Sequence, residues 1–122
     1  MKKYEVPIWI LVGVLIVVGL YIFFRSGGVP EGKYDAFAQC LAQKGVTMYG
    51  AAWCQACQRE KANFGSAFRF IPYVECPENA KQCLDLGIGC YPTWIFPGGK
   101  KLEGYQGLEN LSRESGCELP AD

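Results

Sequence analysis

Residues 6–24 read V-P-I-W-I-L-V-G-V-L-I-V-V-G-L-Y-I-F-F, nineteen positions in a row without a charge. As a helix the run is roughly 28 Å long at ~1.5 Å per residue, which matches a hydrocarbon core of about 30 Å. These residues are therefore read as a transmembrane anchor and taken out of any soluble core. Trp9 and Tyr21 sit near the two ends, where interfacial aromatics belong, and Pro7 falls near the first turn, where a missing N–H costs little. A cleaved signal peptide is the rival reading, with Ser26, Gly27 and Gly28 as the small residues at the cut. The run exceeds the ~7–15 residues of a typical signal-peptide core, and Arg25 interrupts the approach to that site, so the anchor is preferred. Lys2 and Lys3 flank one side and Arg25 alone the other. The positive-inside rule then makes 1–5 a cytoplasmic tail and exports the residues beyond the span. Residues 25–32, R-S-G-G-V-P-E-G, are a short linker, and 33–122 are one domain.

Charge and composition exclude several functions. The chain holds 12 basic and 12 acidic residues, and beyond Lys2, Lys3 and Glu5 there remain 10 and 11. That balance lacks the basic field a sequence-independent nucleic-acid binder needs to release counterions. With no histidine, a Cys-His or Ser-His pair and every histidine-ligated metal site are ruled out. Seven cysteines in a short exported chain read as a disulfide framework, and the odd count leaves at least one thiol unpaired or reserved for exchange. Their number agrees with the exported orientation, because disulfides persist outside the cytosol.

Along the domain, Tyr34, Phe37, Ala38, Leu41 and Ala42 recur at helical spacing and predict a helix over 33–44, with Gly45 at its C-terminus. Strands are expected at 46–51, 72–76, 93–96 and 100–105, the last two as a hairpin about Pro97-Gly98-Gly99. Helices are expected from Cys54 through Phe64 with an undetermined end, at 79–86, and at 108–115 before Gly116. The order α, β-α-β, α, β-β-α implies a small mixed sheet with helices on both faces.

Trp53-Cys54-Gln55-Ala56-Cys57 follows a strand and opens a helix. Cys54 there faces unpaired N–H groups and the positive end of the helix dipole, which stabilise a thiolate. Cys57 is about one turn on, so its sulfur can reach Cys54. Cys54 is read as the nucleophile and Cys57 as the thiol that resolves its mixed disulfide. A zinc site would need a second tight pair, but six residues separate Cys76 from Cys83. No metal is therefore expected. Trp53, Tyr91 and Trp94 flank the expected active edge. Trp94 alternates along a strand and is assigned to the core, and Trp53 to partner contact.

A strand, then W-C-x-x-C on a helix, then X-Pro before another strand resembles the thioredoxin superfamily. The segments C-L-A-Q-K-G-V-T-M-Y-G-A-A-W-C, P-Y-V-E-C and Y-P-T-W-I-F are similar to the thioredoxin-like domains fused to, or partnered with, bacterial and archaeal vitamin K epoxide reductase homologues. The resemblance covers about residues 36–117. It implies an α/β thioredoxin-like fold, a mixed four-stranded sheet flanked by helices, behind the transmembrane helix. It also implies that Pro92, in Tyr91-Pro92-Thr93, is cis and packs against the thiol pair, and that Cys76 and Cys83 form a structural disulfide; a second redox pair is the alternative. Members of that branch often carry Pro-His between the cysteines, where this chain has Gln55-Ala56. No acidic residue lies in the strand before the motif, so the proton acceptor for Cys57 is unassigned, with Glu75 the nearest candidate.

A Cys40–Cys117 bond would tie the first and last helices together and contribute about 4–5 kcal/mol through its long loop; two buried thiols are the other reading. Cys90 is left over, two residues before Pro92, and is read as a partly buried free thiol or as a third thiol that exchanges with the pair.

The expectation is a single-pass protein of the cytoplasmic membrane, its domain facing the periplasm or exterior. It would oxidise thiols of exported cysteine-containing proteins at Cys54–Cys57, with no cofactor in this chain. The resemblance implies a vitamin K epoxide reductase-like membrane enzyme as its reoxidant, with quinone downstream. The alternatives are a reductase or isomerase fed electrons across the membrane, and a disulfide-stapled binding module whose C-x-x-C never turns over.

Overall fold

The computed structural model describes residues 3, 5–25 and 32–121. It divides into two units, Met1–Glu31 and Gly32–Asp122. Of the expected linker, 26–31 lie outside the described residues, as do Ser26, Gly27 and Gly28 of the alternative cleavage site and residues 1, 2 and 4 of the expected tail.

Among its described residues the first unit holds one helix, α1 (Ile8–Arg25), with no side chain buried. It is long and apolar enough to cross a membrane. Its limits differ from those of the apolar run, 6–24. Val6 and Pro7 precede the helix, and the Pro7 carbonyl accepts the Ile10 N–H at 2.9 Å. At the other end Arg25 continues the helix instead of starting the linker. Its guanidinium donates to the Tyr21 hydroxyl at 2.7 Å, one turn back, which holds it on the helical surface.

The second unit contains α2 (Asp35–Gln43), β1 (Thr47–Gly50), α3 (Gln55–Phe64), β2 (Tyr73–Glu75), α4 (Ala80–Asp85), β3 (Thr93–Ile95), β4 (Lys101–Glu103) and α5 (Gly107–Ser115). The order is the one read from the sequence; the limits are tighter. Gly65, at φ +56°, ends α3, and the chain continues as a 3-10 segment, Gly65–Phe70. The strand expected at 72–76 stops at Glu75, because Cys76 enters a 3-10 turn with Pro77, which has no N–H to continue a ladder. The strand expected at 100–105 stops at Glu103, before Gly104 at φ +86°.

The sheet order is β2-β1-β3-β4. β1 and β2 run parallel, with α3 as the crossover such a pair requires; β3 is antiparallel to β1 and β4 to β3. Side chains alternate across the sheet. Met48 and Trp94 face a core shared with Phe37 and Leu41 of α2, Cys57 and Phe64 of α3, and Leu111 of α5. There the Phe64 ring lies 5.9 Å from Phe37, nearly parallel, and 6.0 Å from Trp94. Tyr49 faces the other side, with Cys76, Cys83, Leu86 and Ile88 around α4. Helices thus cover both faces.

Cys40 of α2 is bonded to Cys117 beyond α5, and Cys76 to Cys83. One buried carboxyl has no counterpart in the sequence reading. Glu60 of α3 is 0 % exposed. Its oxygens accept from Gln106 N–H at 2.7 Å, Gly107 N–H at 2.9 Å and the Trp94 indole N–H at 3.3 Å. It joins α3 to the start of α5 and to β3, and supplies that helix N-terminus with the acceptor its own residues lack. In R-E-K it looks like any residue of a solvated helix face.

Candidate redox-active site

β1 ends at Gly50, and a short turn delivers Cys54 to the N-cap of α3. Its extended backbone aims the sulfur at the first turn, where Sγ accepts the Cys57 N–H at 3.2 Å. Ala52 holds the turn from both sides. Its N–H donates to Glu75 Oε1 at 2.7 Å, and its carbonyl accepts the Gln58 side-chain amide at 2.8 Å. Cys54 is 9 % exposed and Cys57 0 %, and both are free thiols. Of the two sulfurs, the one at the helix start is the one solvent and partners can reach.

The Tyr91–Pro92 bond is cis, and the Tyr91 carbonyl lies 3.7 Å from Cys54 Sγ. Trp53 is 71 % exposed, with its ring edge-on to Tyr91 at 5.9 Å. Trp94 is fully buried. Cys90 differs from the partly buried thiol of the sequence reading: it is free and exposed. It sits on the loop after Gly87 and Gly89, where its carbonyl accepts the Thr93 hydroxyl at 2.7 Å and its sulfur lies 3.9 Å from the same oxygen.

Burial pushes the Cys57 thiol up from its ordinary 9.0 to about 12, helped by its hydrogen bond with Cys54. An unfolded chain ionises this thiol near its ordinary value, while the folded protein keeps the proton. Between pH 9 and about 12 the unfolded state therefore binds fewer protons, and stability falls as pH rises. Below that window the contribution is intact. With Cys57 in a disulfide it is absent. Tyr73, also pushed up by burial and by Glu75, keeps its phenol in both redox forms and largely cancels. Anaerobic thermal unfolding should thus show reduced protein losing ground to oxidised protein from about pH 9 to about pH 11. A pH-independent gap would contradict the buried, protonated Cys57.

A mixed sheet in the order β2-β1-β3-β4, a crossover helix that starts at a C-x-x-C pair, and a cis X-Pro loop against the first sulfur define a thioredoxin-like fold. No family model matches the chain. It is similar to the thiol-disulfide oxidoreductase LTO1 of Arabidopsis thaliana, with 38% identity over 93 residues, covering 69% of this chain and 24% of that protein. The chain therefore spans about a quarter of the length of that relative. The similarity supports a thioredoxin-like redox domain.

Proposed function

We propose that this chain is a membrane-anchored thiol–disulfide oxidoreductase acting outside the cytoplasm. Thiolates of exported proteins attack the Cys54–Cys57 disulfide at Cys54 and leave oxidised. A vitamin K epoxide reductase-like membrane enzyme then takes the electrons from the reduced pair. The observation that carries the reading is the asymmetry of the pair: Cys54 opens the helix beside the Tyr91–Pro92 loop, and Cys57 is sealed beneath it. Nucleophile and resolving thiol need that arrangement, whereas a structural staple has no need of one accessible sulfur. The relative's name supports the chemistry. The resemblance to domains that accompany vitamin K epoxide reductase homologues supports the partner and the oxidising direction. The α1 helix supports the anchor, and Lys2 and Lys3 support an N-terminus inside.

Trapping tests this. In cells, Cys57→Ala should accumulate mixed disulfides of Cys54 with substrates and with the membrane partner, visible on non-reducing gels after thiol alkylation. Cys54→Ala should accumulate few. Equal trapping by both variants would overturn the assignment of the nucleophile, and none by either would leave a binding module.

A further inference from the structure

β1 carries no group that can take a proton from Cys57. Its neighbour supplies two. Alternation puts Tyr73 and Glu75 of β2 on one face, and the parallel register sets Met48 opposite Tyr73 and Gly50 opposite Glu75. Cys57 lies over Gly50. A Cβ at position 50 would stand 2.8 Å from Cys57 Sγ and 3.4 Å from the Tyr73 hydroxyl oxygen, so sulfur and phenol border one small space that only glycine leaves open. The Tyr73 hydroxyl donates to Glu75 Oε2 at 2.6 Å, and Glu75 Oε1 is held by the Ala52 N–H at 2.7 Å, in the turn that carries Cys54.

The groups facing this space are few. From α3 come Cys54 and Lys61, whose ammonium lies 3.8 Å over the Tyr73 ring. From β2 come Tyr73 and Glu75. β1 presents Met48 and Gly50 on this face, and the 3-10 segment presents the Phe68 ring, 5.8 Å from Tyr73. Tyr91 meets Cys54 through its carbonyl, 3.7 Å from Sγ.

We propose that Tyr73 and Glu75 are the proton route of Cys57. This rests on reading Cys54–Cys57 as the redox pair. When a substrate thiolate attacks Cys54 Sγ, the Cys54–Cys57 bond breaks and Cys57 leaves with the electron pair. It takes the Tyr73 proton, and the Tyr73 oxygen is reprotonated from solvent by way of the half-buried Glu75 carboxylate. Reoxidation runs through a partner disulfide, whose sulfur is bonded to Cys54. Cys57 then gives its proton to the Tyr73 oxygen as Tyr73 passes its own to Glu75. The Cys57 thiolate attacks Cys54 Sγ, the intramolecular disulfide forms, and the partner sulfur departs as thiolate. Glu75 is a positioning residue, acting on Cys57 through the Tyr73 hydroxyl. A thiol held protonated by burial needs such a route, because water does not reach it.

The test mixes the reduced full chain with excess oxidised glutathione and quenches with acid. This resolves formation of the Cys54–glutathione disulfide from its closure by Cys57. Glu75→Gln should form the mixed disulfide at the wild-type rate and close about 10²-fold more slowly near neutral pH, the scale of a lost proton acceptor. Its closure should then recover about tenfold per pH unit as hydroxide substitutes for the carboxylate. Tyr73→Phe, which removes only the hydroxyl and keeps the ring under Lys61, should behave alike and guards against misfolding of the first variant. Closure at the wild-type rate and pH profile in both variants overturns the relay alone. Equal slowing of both steps, with the shape of the closure profile kept, overturns it too, since that is structural damage. Wild-type protein that forms no mixed disulfide overturns the redox reading, and the relay with it.

Discussion

Cys117→Ser should lower the unfolding free energy of the Gly32–Asp122 unit by about 4–5 kcal/mol, the largest loss expected from any single substitution outside the Cys54–Cys57 pair. Cys117 is bonded to Cys40 across 77 residues, so the bond closes nearly the whole unit into one loop. Without it the unfolded chain regains that loop's conformational freedom. Typical domain stabilities are about 5–15 kcal/mol, so the loss would take much of the margin. The melting temperature should fall by roughly 20–30 °C. Cys83→Ser is the internal control. Its bond to Cys76 spans only 7 residues, and the same model gives about 2.5 kcal/mol. Denaturant unfolding of the two variants in detergent measures the difference. Equal losses would mean that local packing around the sulfurs, and not loop length, sets the contribution.

Glu60→Ala should cost about 3–5 kcal/mol, because the buried Trp94 indole N–H and the half-buried Gln106 and Gly107 N–H groups all lose their acceptor, and an orphaned donor costs about 1–3 kcal/mol, less than additively. The donors belong to two elements: Trp94 to β3, and Gln106 and Gly107 to the start of α5. The damage should therefore be local as well as global. Hydrogen exchange at the Gln106 and Gly107 amides should accelerate far more than at the Ala62 and Phe64 amides of α3. Glu60→Gln should do almost as badly, since its NH₂ group would meet donors where the native residue offers oxygen. Unaltered exchange at Gln106 and Gly107 would remove Glu60 from its role as the cap of α5.

The helices and strands of the Gly32–Asp122 unit were legible because their signals are local. Apolar residues of 33–44 repeat at helical spacing whatever they later pack against, and Gly45 and Gly116 end their helices with positive φ. The end of α3 was not legible. Phe64, Phe68 and Phe70 continue an apolar pattern through the break, and the pattern does not register that Gly65 turns the chain into a 3-10 segment. The exposure of Cys90 was hidden for a related reason: cysteine is usually buried, and its exposure depends on how the loop after Gly87 meets the sheet edge.

By itself the sequence determined the apolar span, the order of elements and the dithiol at a helix start. Each arises from interactions within a few residues: a run without charges, a hydrophobic period, a cysteine facing unpaired N–H groups. The tertiary structure alone decided which strands are neighbours, and with them the chemistry around the thiols. Glu60, between Arg59 and Lys61, differs from a solvated glutamate only because β3 and α5 fold over it and bring three N–H donors to its oxygens. Glu75, eighteen residues beyond Cys57 in the chain, comes beside the site because β2 pairs in parallel with β1 and sets it against Gly50. Burial and long-range pairing are properties of surfaces that meet only when the chain has closed on itself, and no local pattern of residues encodes which surfaces those will be.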